Sequence, residues 1–404
     1  MSQSVKQYPQ TVDDFNRVTS ELRAAAGFRE PLLFSIGRRV FTGGGTLASV
    51  RYPVVNGPGQ NLGTAAILIK ILGVQLQGVQ NVTLNREQIY EAVKYFAPFE
   101  KDEKRHENIE VIKRALSSDV LRSHESGNNL SNLVATFIFD DVEPIGVEDS
   151  TLKLYGLSNR HFKPNQLNLI KIFTKLPNVS WHGDVPMDEG EIAWSLMDAA
   201  FSNGTPYAPH MVDKFPLYIH RINAIKMGVR VTDQHKVRLG AYLGEGTTLM
   251  PGASYVNFNA GTEGSAIVEG RISSSAWVGE GTDVGGGASM LGVLSGGNER
   301  PVSTGRNCLL EANCVLGIDL GDACIVAADT AILASTLVEI KVENHPKFGE
   351  TVKAGELSGI NAVTFRSNSM SGKMEVVRTK RNCNFARKLK NGESILNADL
   401  HQNN

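Results

Sequence analysis

The stretch VGEGTDVGGGAS, Val278 to Ser289, holds two consecutive groups of six, each opening on valine and glycine. The same beat runs on both sides of it. Val237, Leu243 and Leu249 form one series, and Ile272, Val278 and Val284 a second. Leu310 and Leu316 make a pair, and Leu320, Val326, Ile332 and Val338 a fourth series. Other hexads read VRLGAY, LGEGTT, VAADTA and ILASTL, with a small residue at the fifth position. A period of six belongs neither to an α-helix nor to an ordinary strand; it marks the hexapeptide repeat of a parallel β-helix. Three short strands then close one triangular coil, and one aliphatic side chain per hexad points into the prism. Small residues and glycine take the corners, where the backbone turns sharply. Glycine is distributed accordingly: 16 of the 66 residues from Gly240 to Gly305, against 24 in the other 338.

Outside the repeat the pattern changes. Residues 1–205 read as a mixed α/β domain. Asn85-Arg86-Glu87-Gln88 resembles a capping box, followed by Ile89, Val93 and Phe96 on one helical face. A second helix is expected near 103–118 (Ile109, Ile112, Leu116), and a third near 188–201, with Ile192 and Leu196 on its apolar face. LVATFIF at 133–139 and TLKLYGL at 151–157 read as strands. The glycine clusters Thr42 to Thr46 and Asn56 to Gly59 fit no phosphate-binding motif and read as turns. The expected fold is therefore an α/β N-terminal region (1–205), a left-handed parallel β-helix (206–342), and a short β-rich C-terminal region with a polar tail (343–404). Two interruptions, VNFNAGTEGSA at 256–266 and MLGVLSGGNERPVSTG at 290–305, are expected to leave the coil as loops.

Composition bounds the function. The 404 residues are 41% apolar and 21% charged, with a formal net charge of −1. That balance points away from a basic nucleic-acid binder. No apolar run is long enough to span a bilayer, and the start shows no secretory signal. The four cysteines (Cys308, Cys314, Cys324, Cys383) lack CxxC spacing, so zinc and disulfide roles are not expected, and a cytoplasmic protein is. No histidine falls between 236 and 344. That argues against hexapeptide acetyltransferases with a histidine base, and against a carbonic anhydrase with three histidines on zinc. A nucleotide loop for a sugar-nucleotide transferase is also missing. A purely structural solenoid would not need the two excursions.

Several motifs, in order, carry a resemblance. They are Val212 to Pro216 (VDKFP), Ile267 to Ser273 (IVEGRIS), Gly281 to Ser289, Leu294 to Gly297 and Cys308 to Leu310. Glu356 to Gly359, Phe365 to Ser369 and Leu396 to His401 follow. Together they resemble the longer, second type of tetrahydrodipicolinate N-succinyltransferase, over about 210–404. Nothing is carried over from the N-terminal half. The resemblance implies succinyl transfer from succinyl-CoA to the amine of (S)-2-amino-6-oxopimelate, in lysine and diaminopimelate synthesis. It also implies a homotrimer acting on small molecules, with succinyl-CoA as co-substrate and no tightly bound cofactor.

It also implies roles for residues. Glu269, next to glycine and among apolar neighbours, is the catalytic carboxylate; whether as general base or as a transient acyl anhydride stays open. The Gly292 N–H is the oxyanion donor. Arg271, two residues from Glu269, would point to the same side on an extended backbone and suits a carboxylate. Gly286, Ser289 and Ala312 match positions lining the CoA arm. Lys353 and Arg366 match its phosphate end, with Ser367, Asn368 and Ser369. Ala327, Ala328 and Ser335 belong to the same set, although Ala327 and Ser335 depart from some relatives, as does Glu311, where a small residue is expected. Some family members bind Mg²⁺ near the trimer axis. Here His235 and Ala253 stand where carboxylates would be wanted, which speaks against an equivalent site.

Overall fold

A computed structural model of the protein describes residues 7–101, 106–117, 132–202, 209–293 and 300–379. The chain divides into two compact units, Met1–Gly156 with Leu167–Pro216, and Leu157–Gln166 with Leu217–Asn404.

The first unit is built on an antiparallel sheet of order β2-β1-β4-β3, comprising β1 (Leu33–Phe41), β2 (Leu47–Arg51), β3 (Val79–Thr83) and β4 (Leu133–Ile138). Phe34 and Ile36 of β1 and Leu133, Ala135 and Phe137 of β4 share one face of it. They join a single core with α1 (Val12–Ala24), α2 (Leu62–Leu72), α3 (Arg86–Phe96) and α4 (Glu107–Ser117). The capping box at Asn85 and Gln88 is present, and Ile89 and Phe96 are buried. Thr42 to Thr46 is the β1–β2 turn, closed by Thr42 N–H donating to Thr46 O at 3.0 Å.

Two expectations fail here. TLKLYGL is not a strand but lies within a helix, α5 (Val147–Ser158). Residues 149–158 are all buried, so no apolar stripe of helical period shows in the sequence. Asp149 starts the helix by accepting the N–H groups of Ile145 and Gly146 at 2.8 and 2.9 Å. Lys153, fully buried, donates to Asp141 Oδ1, Val142 O and Asn168 O at 2.6–2.7 Å. After the short α6 (Ile172–Lys175), α7 (Glu189–Phe201) does form where expected, capped by Asp188. Its apolar face is not buried, however, and Leu196 is exposed.

In the second unit the strands of the repeat run parallel and visit three sheets in rotation, while the C-terminal strand pairs Leu337–Lys341 with Thr351–Lys353 and Val363–Ser367 with Met374–Arg378 are antiparallel. One ladder registers Val268 on Val284, Leu310 and Val326 in turn, and then Phe365. A second registers Val256 on Ile272, Met290, Leu316 and Ile332. The third joins Leu243, Thr262 and Val278. All twelve aliphatic residues of the six-residue series are buried. Residues 256–266 correct the sequence reading: they do not leave the coil. Val256, Thr262 and Val268 keep the six-residue spacing, with a buried threonine at the middle rung. Thr262 Oγ1 meets Thr247 Oγ1 at 2.7 Å, so each hydroxyl has a partner inside the prism. The second excursion does interrupt the six-residue spacing, since after Met290 the chain next pairs on the third side at Ser303, which bridges Trp277. Strands Thr351–Lys353, Val363–Ser367 and Met374–Arg378 extend the first ladder beyond the repeat.

Candidate active site

The candidate residues sort onto two corners of the coil and the side between them. The first corner follows the ladder Val268, Val284, Leu310, Val326, Phe365. One step on lie Glu269, Gly285, Glu311, Ala327 and Arg366; a further step brings Gly286, Ala312, Ala328 and Ser367. Backbone bonds tie these rungs: Gly285 N–H donates to Leu310 O, Glu311 N–H to Val326 O and Ala327 N–H to Phe365 O, at 2.8–2.9 Å. Glu269 and Gly270 N–H both donate to Val284 O, at 2.7 and 3.2 Å, which bends the chain at this point. Only glycine fits at 270, where a Cβ would sit 2.4 Å from Ala288 O. The Glu269 carboxylate lies over Gly286, whose absent Cβ would be 3.7 Å from Oε2. Apart from Glu269, Glu311 and Arg366, this row carries only glycine, alanine and serine.

The bend changes one expectation. Glu269 and Arg271 are not on one extended strand; Glu269 follows the first-ladder strand Ala266–Val268, and Arg271 opens the second-ladder strand Arg271–Ile272. Arg271 Nε and Nη2 donate to Ser289 Oγ on the next rung, at 3.0 and 2.6 Å. Glu311, the departure from a small residue, turns toward the following rung and accepts the Ala328 N–H through Oε2 at 3.1 Å.

The second corner carries Gly292, Ser335 and Lys353. A Cβ on Gly292 would sit 2.8 Å from Ser274 O, so packing against the preceding rung itself demands glycine there. Ser335 and Lys353 are exposed beside it, where Gly355 N–H donates to Ala334 O at 3.0 Å. Within one chain, then, Glu269 and Gly292 occupy different corners.

Beyond Arg366 the first row meets a charged cluster that the sequence reading missed. Arg366 pairs with Glu375 Oε2 at 3.3 Å, and Asn368 Nδ2 donates to Glu375 Oε1 at 2.8 Å. Asn368 also closes its turn by accepting the Met370 N–H at 2.9 Å; Ser369 is exposed within that turn. Glu339 pairs with Lys341 and Lys373, which hold its carboxyl below the usual carboxylate range. The only signal in the sequence is the acidic residue in the apolar run MEVV, too weak to read without the register.

Cys308, Cys314 and Cys324 are buried, and burial pushes the Cys314 thiol up to about 12. His235 is exposed and touches Gln234 at 3.2 Å. Among the described residues no three His, Cys, Asp or Glu side chains gather as a metal site, and no helix is long and apolar enough to cross a membrane. Leu294 to Gly297, Cys383 and the Leu396 to His401 motif lie outside the described residues.

A protein of Sulfurovum sp. named 2,3,4,5-tetrahydropyridine-2,6-dicarboxylate N-succinyltransferase is 39% identical, over 97% of this chain and 98% of its own. The chain belongs to the tetrahydrodipicolinate N-succinyltransferase family. The enzyme of that name from Helicobacter pylori is 37% identical over 91% of this chain and 97% of its own. A crystal structure from Campylobacter jejuni, provisionally assigned as a 2,3,4,5-tetrahydropyridine-2-carboxylate N-succinyltransferase, matches with a TM-score of 0.82. It is 37% identical and covers 92% of this chain and 98% of that one. The model of the family's N-terminal region matches residues 13–174. The likeness therefore extends through the half from which the sequence reading carried nothing over.

Proposed function

We propose that this protein transfers a succinyl group from succinyl-CoA to the amine of (S)-2-amino-6-oxopimelate, the opened hydrated form of tetrahydrodipicolinate, in lysine and diaminopimelate synthesis. The observation that carries the reading is the first corner: a carboxylate over a bare glycine, then a row of small residues ending at an arginine. From Glu269 to Arg366 the row spans four strand spacings, about 19 Å. That is comparable with an extended pantetheine arm, so a thioester at Glu269 and phosphates at Arg366 are compatible.

In this reading the amine nitrogen attacks the thioester carbonyl, the C–N bond forms and the C–S bond breaks. Glu269 takes the amine proton as general base and returns it to the CoA thiolate. Transient acylation of the same carboxylate is the alternative route. The Gly292 N–H stabilises the oxyanion, and Arg271 with Ser289 receives the succinyl carboxylate. Gly286, Ala312, Ala327 and Ala328 line the arm. Ser335, Lys353, Arg366, Ser367, Asn368 and Ser369 surround its far end. The coil is read as a left-handed β-helix (206–342) between an α/β domain (1–205) and a C-terminal region (343–404). Because Glu269 and Gly292 sit on different corners, a homotrimer that sets one copy's first corner against its neighbour's second would complete each site. Substrates are small, soluble molecules, no tightly bound cofactor is needed, and the reaction is placed in the cytoplasm.

Thiol release from succinyl-CoA tests this directly. Release should require the tetrahydrodipicolinate substrate and should be faster than with acetyl-CoA. Release that ignores the acceptor, or prefers acetyl-CoA, would refute it.

A further inference from the structure

The cross-strand row that starts at Glu269 does not stop at Arg366. Arg366 registers on Glu375, and Glu375 on Glu339, across three neighbouring strands. Phe365, Val376 and Ile340 fill the interior beneath them. Around the two acids stand three cations in layered order. The side chains of Glu375 and Glu339 are 7% and 14% exposed, whereas Lys341, Arg366 and Lys373 are 41%, 50% and 63% exposed. Each carboxylate oxygen takes one donor: Asn368 and Arg366 on Glu375, Lys341 and Lys373 on Glu339. The acids lie underneath and the cations face outward, with one positive charge in excess. Ion pairs that served stability alone would not need this layering, since exposed pairs of this kind contribute little.

Resting on the acyl-CoA reading above, we infer that Lys341, Lys373 and Arg366 form the receiving surface for the phosphates of the CoA nucleotide, and that Glu375 and Glu339 are positioning residues that hold it. A buried carboxylate that fixes one edge of a guanidinium leaves the others aimed outward, the arrangement a phosphate can engage. The same Glu375 carboxylate fixes Asn368, so one buried group orders two residues at the nucleotide end.

The test compares two donors and one equilibrium. Succinyl-CoA carries the phosphates; the succinyl thioester of N-acetylcysteamine lacks them. Lys373→Ala and Glu375→Ala should each raise the Kd of CoA, measured by calorimetry, and the KM of succinyl-CoA by about fivefold or more, the scale of one charge-assisted contact. Their kcat, and their rate with the truncated donor, should match wild type. Glu375→Gln, which keeps a hydrogen-bonding group of the same shape, should recover part of the loss. Equal losses with both donors would make Glu375 merely structural and overturn the inference. So would an unchanged Kd, or tighter CoA binding by Glu375→Ala, which would mark it as a counter-charge only. Wild-type protein that binds CoA but transfers no succinyl group would defeat the proposed function and leave this surface standing.

Discussion

The two units bury their apolar surface in different ways. In the α/β unit, large side chains from distant segments meet: Phe34 stacks on Phe137 at 5.9 Å, and Phe137 on Phe139 at 6.1 Å. In the coil, most inward positions carry one modest aliphatic residue, directly above its equivalent in the previous rung, as Val284, Leu310 and Val326 do. The first arrangement spends its sequence on a shared interior. The second repeats a short rule, and the candidate residues sit at its corners and along its sides, outside the column of inward-pointing residues. A carboxylate at a corner, such as Glu269, can therefore change without disturbing the prism.

Breaking the comparison should cost most in the α/β unit. Phe137→Ala removes a fully buried ring from the centre of that core, and should lower unfolding free energy by about 3–5 kcal/mol in urea titrations. The coil should fail through backbone contact rather than lost volume. At Gly261 a Cβ would lie 1.9 Å from Tyr242 O, so Gly261→Ala should cost about 1–3 kcal/mol by the same measurement. A loss at Gly261 within experimental error would show that the rungs can spread. Asp188 offers a smaller effect. It caps α7 through Glu191 N–H at 3.1 Å and holds the β1–β2 turn through Thr42 Oγ1 and Gly44 N–H at 2.9 and 3.0 Å. Asp188→Ala should lower the urea midpoint by less than Gly261→Ala does, as loss of a helix cap would.

Acid sharpens the contrast further. In the coil unit Glu263, Glu339 and Glu356 are held below the usual glutamate value of 4.5, chiefly by Arg306, Lys341 and Lys347. Their contribution is fully present above 4.5 and is lost as pH falls through the lower folded values. In the α/β unit Asp140 and Asp188 behave likewise, but burial raises Asp149 above its usual 3.8. A raised carboxylate works in the opposite sense, favouring the fold as it becomes protonated. Melting temperatures should stay level from pH 7 to about 5 and fall below 4.5. Melts of Asp149→Asn should fall more steeply in acid than wild type, because the opposing contribution is gone.

Legibility followed the same divide. The six-residue spacing disclosed the coil because each inward position is read independently of distant sequence. It failed only where Thr262 replaced an aliphatic residue and made 256–266 look like an excursion. In the α/β unit, α3 announced itself through Asn85 and Gln88. The α5 stretch from 149 to 158, buried on every side, carried no stripe to distinguish it from a strand, and the apolar residues of α7 suggested a burial that does not occur. At the site, Glu269 and the small corner residues were visible through motif and resemblance. The Glu269–Gly270 bend, and the link from Arg366 through Glu375 to Glu339, depend on register between strands far apart in sequence.

The most direct measurement is the rate of succinyl transfer by Glu269→Gln with both substrates saturating, taken with its melting temperature and its Kd for CoA. The rate should fall at least about 10²-fold below wild type, with the other two values unchanged. A rate within a few-fold of wild type, from protein that folds and binds CoA normally, would contradict the role given to Glu269 and to the corner it occupies.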